Sequence, residues 1–235
     1  MEYGLHPLGD HAVIIELGKD INEETQKNVQ VVTAFLDEHP PKWMVEYIPA
    51  FTTVTVFYDP VYFFRENLDS LPYNQACQQL SELLQGVKPG DTKEQRVVEI
   101  PVCYGGEFGP DLDHVATING LTAEEVIDIH SSGDYLVYMI GFAPGFPYVG
   151  GMPEKIAAPR RESPRLKIPA GSVGIAGKQT GVYPIETPGG WQLIGRTPLD
   201  LFQPEVEPPS LLRAGDKIKF KPISHKEYIE WEKKG

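Results

Sequence analysis

The residue types best equipped for chemistry gather between Gly141 and Pro198. Gly141 to Gly151 reads GFAPGFPYVGG. Glycines let a backbone approach a ligand closely, and prolines hold a loop so that little entropy is lost on binding. Phe142, Phe146 and Tyr148 would then form an apolar wall, with Gly145 and Phe146 as candidate ligand contacts. The same pattern also suits a tight barrel corner with its aromatics in the core. Further on, Pro169 to Gly181 reads PAGSVGIAGKQTG. A phosphate-binding P-loop needs Gly-x4-Gly-Lys-Ser/Thr leading into a helix. Here Ser172 takes the first glycine position, Gln179 follows Lys178, and Pro184 soon blocks a helix. The segment is therefore no P-loop. Lys178, Gln179 and Thr180 still offer an ammonium, an amide and a hydroxyl, enough to hold a carboxylate or phosphate. A plain hairpin is the competing reading.

Arginines complete this set. Arg160, Arg161 and Arg165 lie between Pro159 and Pro169, in a stretch too proline-broken for a helix, and Arg196 follows Gly195. The planar guanidinium fork suits two-pronged capture of an anion. Among the acids, Glu107, Asp111 and Asp113 are of the type that holds Mg²⁺ beside a nucleotide. Asp111 and Asp113 also stand where a helix should begin, and acids are common there. His130 closes an expected helix on its apolar side, so a core or capping histidine is the simpler reading than a general base. Ser172 lacks a GxSxG elbow, which argues against a serine hydrolase.

Charge is distributed unevenly around these motifs. The 235 residues carry a net charge of −12, which argues against nucleic acid as a partner. Gly141 to Pro198 nevertheless holds seven basic and three acidic residues. A basic island in an acidic chain can focus small anions. Hydrophobic residues make up 41% of the chain, an ordinary globular content, and no apolar run approaches the length needed to span a bilayer. Cys77 and Cys103 form no CxxC pair and fall in different expected domains, so buried inert thiols are expected rather than a disulfide or zinc site. With no basic or apolar leader at the N-terminus, the expected location is cytoplasmic.

The elements that must position these residues divide into two textures. Residues 1–87 read as a small α+β domain. A strand at Ala12–Leu17, with another short one suggested at Leu5–Leu8, precedes a helix capped by Asn22 and stopped by Pro40-Pro41. Strands at Trp43–Ile48 and Thr53–Tyr58 and a helix opened by Pro72 follow. The order βαββα predicts a small antiparallel sheet with helices on one face. Residues 88–95 offer nothing apolar to bury and read as a linker. From residue 96 to 235, short apolar pieces cut by Gly and Pro predict a mainly-β domain, a compact β-barrel with long loops. Thr122 and Ser224 begin capping boxes for two helices, the second of them C-terminal.

Tyr104 to Leu112 (YGGEFGPDL), GFAPGFPYVGG, Pro159-Arg160 with Ser163-Pro164-Arg165, PAGSVGIAGKQTGVYP and PGGWQLIGRTP together resemble one family. It is the B-subunit family of 5-oxoprolinase (PxpB), which includes the sporulation-kinase inhibitor KipI and allophanate hydrolase subunit 1, and is carboxyltransferase-like. The likeness covers nearly the whole chain. It implies a cyclophilin-like β-barrel for the second domain. It also implies an ATP-dependent hydrolase that opens 5-oxo-L-proline to L-glutamate. In that enzyme this chain would be inactive alone and would work with an A subunit plus a carboxyltransferase-like C subunit. ATP and Mg²⁺ enter as its substrate complex. On that basis Arg165, Lys178 and Arg196 would meet phosphates or the substrate carboxylate. Gln179 and Thr180 would orient it, with Arg160 and Ser172 as further contacts and Glu107 for metal or proton work. The resemblance leaves two alternatives open: a binding module that inhibits a histidine kinase, and half of a biotin-dependent carboxyltransferase.

Overall fold

A computed structural model describes residues 1–87 and 96–233. The expected linker at 88–95 lies outside the described residues. The chain divides into two compact units, Met1–Gln95 and Arg96–Gly235.

In the first unit, β1 (Gly4–Leu8), β2 (Ala12–Glu16), β4 (Thr53–Tyr58) and β3 (Met44–Pro49) form an antiparallel sheet in that spatial order. Val13 stands opposite Val56 and Ile15 opposite Val54, so all four side chains share one face. That face is covered by Val29, Val32 and Leu36 of α1 (Glu23–Glu38) and by Ala76, Leu80 and Leu84 of α3 (Pro72–Gln85). Asn22 caps α1 through its Oδ1, which accepts the Thr25 N–H at 2.8 Å. The element order is ββαββαα rather than βαββα. The short strand suggested at Leu5–Leu8 is present as β1, and the added element is α2 (Pro60–Glu66), a seven-residue helix with Asp59 as its cap. A helix of two turns is too short to display an apolar period in the sequence.

The second unit is a closed barrel of seven strands. They are β5 (Val97–Tyr104), β6 (Tyr135–Ile140), β7 (Pro147–Gly150), β9 (Ser172–Ala176), β10 (Gln179–Val182), β12 (Gln192–Arg196) and β13 (Lys217–Pro222). Their order around the barrel is β10-β7-β6-β13-β5-β12-β9. The first and last of these in sequence, β5 and β13, pair in parallel, while the remaining neighbours are antiparallel. Closure leaves no exposed strand edge and agrees with the expected cyclophilin-like barrel. Leu112 and Val115 of α4 (Leu112–Asn119) and Val126 of α5 (Ala123–Ser132) join Val102, Val137, Ile175 and Ile194 in its core. Both expected capping boxes are present, at α5 and at α6 (His225–Glu232). A two-stranded ribbon stands apart from the barrel: β8 (Arg165–Ile168) pairs with β11 (Thr187–Gly189). Among the described residues no helix is long and apolar enough to cross a membrane.

Candidate functional site: an aromatic cavity edged by Arg160 and Gln179

The site begins with two glycines. Gly181 of β10 pairs with Gly174 of β9. A Cβ on either would stand 3.2 Å from the Trp191 side chain, and one on Gly181 only 3.5 Å from Phe146. Together they leave a bare patch of barrel wall on which these two rings can lie. Phe146 then meets Phe142, Tyr148, Tyr183 and Trp191 edge-on, at centroid separations between 5.4 and 5.9 Å. Ile168 and Leu193 complete the apolar bed. The rings enclose a cavity of about 360 Å³. Arg160 and Gln179 are the lining residues that carry a guanidinium and an amide, and Pro164 and residues Pro188 to Gly190 line the remaining side.

Phe142 stands out among these residues. Its φ is +68°, in the left-handed region that a bulky side chain avoids. Its ring is 69% exposed. Such a conformation costs on the order of 1–3 kcal/mol and is found where local structure enforces it. The loop holds an aromatic ring in solvent at the cavity rim.

The neighbouring arginines serve another purpose. Asp111 is buried, and its Oδ1 accepts from Arg161 Nη1 at 3.0 Å and from Arg165 Nη2 at 2.8 Å. Its Oδ2 accepts the Leu193 N–H at 2.7 Å, while the Asp111 N–H donates to the Leu193 carbonyl. One carboxylate thereby ties the start of α4, strand β12 and the arginine loop together. The Arg161 N–H donates to the Gly190 carbonyl at 2.7 Å, which lays the loop along the cavity wall. No hydrogen bond or ion pair holds the Arg160 guanidinium among the described residues. Its charge is felt at Tyr183, whose phenol burial pushes up to about 12 against the pull of Arg160.

The other sequence candidates are dispersed. Lys178 pairs with Glu154 at 2.7 Å, both largely exposed. Arg196 donates through Nε to the Ala170 carbonyl at 2.8 Å. Ser172 is buried in β9 and its carbonyl accepts the Tyr183 N–H. Gly145, at φ +77°, turns the loop so closely that a Cβ would stand 2.8 Å from Phe202. Glu107 lies in the β5–α4 loop, 3.2 Å from His225 of α6. Gln179 and Phe146 are the candidates that join Arg160 around the cavity.

Thr180 belongs to an internal chain of hydrogen bonds. Its hydroxyl donates to the Gly174 carbonyl at 3.0 Å and therefore accepts from His130 Nε2, 2.9 Å away. His130 Nδ1 is then the acceptor for the Tyr104 hydroxyl at 2.7 Å. The imidazole is fully buried, and burial lowers its pKa to about 3. A neutral histidine locked between two hydroxyls is a structural link between α5, β5 and β10, as its sequence context suggests.

Tyr183 and Trp191 carry the site yet received no role from the sequence. Both sit beside glycine or proline in GVYP and PGGWQ, the same juxtaposition that singled out GFAPGFPYVGG. Of the acids of metal-holding type, Asp111 is engaged by two guanidiniums and Glu107 lies beside His225, away from the cavity lining.

With the barrel and its cavity in view, the class of protein is defined: residues 3–212 match the family described as Carboxyltransferase domain, subdomain C and D. The chain is 56% identical to the B subunit of 5-oxoprolinase from Bacillus subtilis (strain 168), over 97% of this chain and 96% of that protein. It belongs to the 5-oxoprolinase B-subunit family. Among solved structures, TTHA0988 superposes with a TM-score of 0.76 at 34% identity, covering 91% of this chain and 40% of that one. A conserved uncharacterized protein from Pyrococcus horikoshii, PH0987, matches at 47% identity and TM-score 0.56, over 95% of this chain and 99% of that one.

Proposed function

We propose that the chain is the B subunit of an ATP-dependent 5-oxoprolinase, which opens 5-oxo-L-proline to L-glutamate in the cytoplasm. It would act there with an A subunit plus a carboxyltransferase-like C subunit. The near-full-length identity to the B. subtilis protein carries this reading. The chemistry is consistent with it. A five-membered lactam is a stable amide, and its oxygen must be activated before water can attack the carbonyl carbon. Phosphoryl transfer from ATP to that oxygen would provide the activation, and such transfer depends on positioning and on donors facing the developing charge. The chain has an aromatic cavity with one guanidinium and one amide at its edge, suited to holding a small flat anion. It has no nucleophile paired with a base in that cavity, which favours a chain that is inactive alone. Mg²⁺ would arrive with ATP rather than on this chain's carboxylates. The test is ADP release driven by 5-oxo-L-proline, measured for the isolated chain and for the mixture with its A and C partners. Turnover only in the mixture supports the reading, and full turnover by the isolated chain overturns it.

A further inference from the structure

Resting on the 5-oxoprolinase reading, we infer that the aromatic cavity is the subsite for the cyclic amide itself, Arg160 taking its carboxylate and Gln179 its lactam group, and that the nucleotide is held elsewhere. Three observations carry this. The first is chemical complementarity. A lactam presents one carbonyl acceptor and one N–H donor side by side, and the Gln179 amide presents the matching donor and acceptor. The ring between them is apolar on both faces and suits walls made by Phe146, Tyr183 and Trp191.

The second is charge. The lining residues include one cation, Arg160, and no carboxylate, which matches a ligand with a single negative charge. The polyphosphate of ATP needs several cations or a cradle of backbone N–H groups. Arg161 and Arg165 are turned away from that task by Asp111, and Lys178 is paired with Glu154. The third is the rim. Phe142 is held exposed in a left-handed backbone conformation beside Phe146, where it can close over a bound ring. Arg160 and Gln179 are themselves exposed, so the lactam oxygen remains open to a phosphoryl donor brought by a partner protein.

The experiment has two arms. In the first, calorimetry measures binding of 5-oxo-L-proline, of 2-pyrrolidinone (the same ring without the carboxylate) and of Mg·ATP to the chain and to Arg160→Ala. The expected result is that Arg160→Ala weakens 5-oxo-L-proline about ten- to hundred-fold, as for loss of a charge-assisted contact. Binding of 2-pyrrolidinone should be unchanged, and Mg·ATP should not compete. In the second arm, the assembled enzyme gives KM for each substrate. Arg160→Ala should raise KM for 5-oxo-L-proline and leave KM for ATP alone, and Arg160→Lys should restore part of the loss. Competition by Mg·ATP, or a changed KM for ATP with an unchanged KM for 5-oxo-L-proline, overturns the assignment. If the assembled wild type releases no ADP in response to 5-oxo-L-proline, the 5-oxoprolinase reading fails by itself. The calorimetry then decides the cavity independently, and absence of 5-oxo-L-proline binding overturns the inference.

Discussion

Arg160 and Arg161 are chain neighbours in opposite circumstances. Arg161, with Arg165, lies against the buried carboxylate of Asp111, which also holds the Leu193 N–H. Arg160 edges an aromatic cavity with no such partner among the described residues. The first pair holds the loop in place, and the third arginine is what the loop presents. A charged side chain whose partners come from its own chain is structure, whereas one left facing an apolar cavity is available to a ligand. The His130–Thr180 chain inside the barrel belongs with the first kind.

The contrast can be broken in graded ways. Asp111→Ala should have the largest effect. It removes a buried partner and leaves two guanidiniums facing each other, with Arg161 Nε and Arg165 Nη1 already lacking a partner among the described residues. Loss of one side of a fully buried pair costs about 3–5 kcal/mol. The guanidiniums left behind here are partly exposed, so a loss at the lower end, about 3 kcal/mol, is expected and thermal melting should fall. A melt within a degree of wild type would show that the loop is held by other contacts.

Next in size is an acid effect from His130. Its folded pKa lies near 3, while in the unfolded chain it takes up a proton below about 6.5. The unfolded state therefore gains the proton first, and stability falls as pH drops from 6.5 towards 3. Between pH 6.5 and 4 this amounts to roughly 3 kcal/mol at most. Urea denaturation at several pH values should show the slope, and a folded His130→Gln chain should lack that part of it. An unchanged slope in the variant would mean that His130 is not neutral by burial.

Arg160→Ala should leave melting within about 0.5 kcal/mol of wild type, as expected for an exposed side chain without partners. Its effect belongs to KM for 5-oxo-L-proline in the assembled enzyme. Substantial loss of stability would place Arg160 with Arg161 and end the contrast. The smallest effect is expected for Lys178→Ala, which removes an exposed ion pair with Glu154. Exposed pairs contribute about 0–1 kcal/mol, and both melting and kcat/KM should stay near wild type. A tenfold loss of kcat/KM would return Lys178 to the site, where its motif first suggested it.

Local signals were legible from the sequence wherever one segment decides its own structure. Asn22, Thr122 and Ser224 cap helices because a side-chain oxygen reaches a backbone N–H three residues away, a distance set by the chain alone. Ala76, Leu80 and Leu84, four residues apart, likewise share one face of a helix by spacing alone, and that face is buried in the first unit. Motif content also marked Phe146, Gln179 and Arg160 as members of one functional region, and resemblance named the family. Which arginine faces the cavity was not legible. Arg160, Arg161 and Arg165 share one proline-broken stretch and one chemistry, and only the position of Asp111, fifty residues earlier, separates them. Thr180 and Gln179 are divided in the same way, because alternation along β10 sends one side chain to His130 and the other to the cavity. The sequence by itself determined the capped helices, the longer strands, the family and the supply of donors. Tertiary structure alone decided which donors are engaged, because a buried charge is defined by partners that arrive from distant parts of the chain.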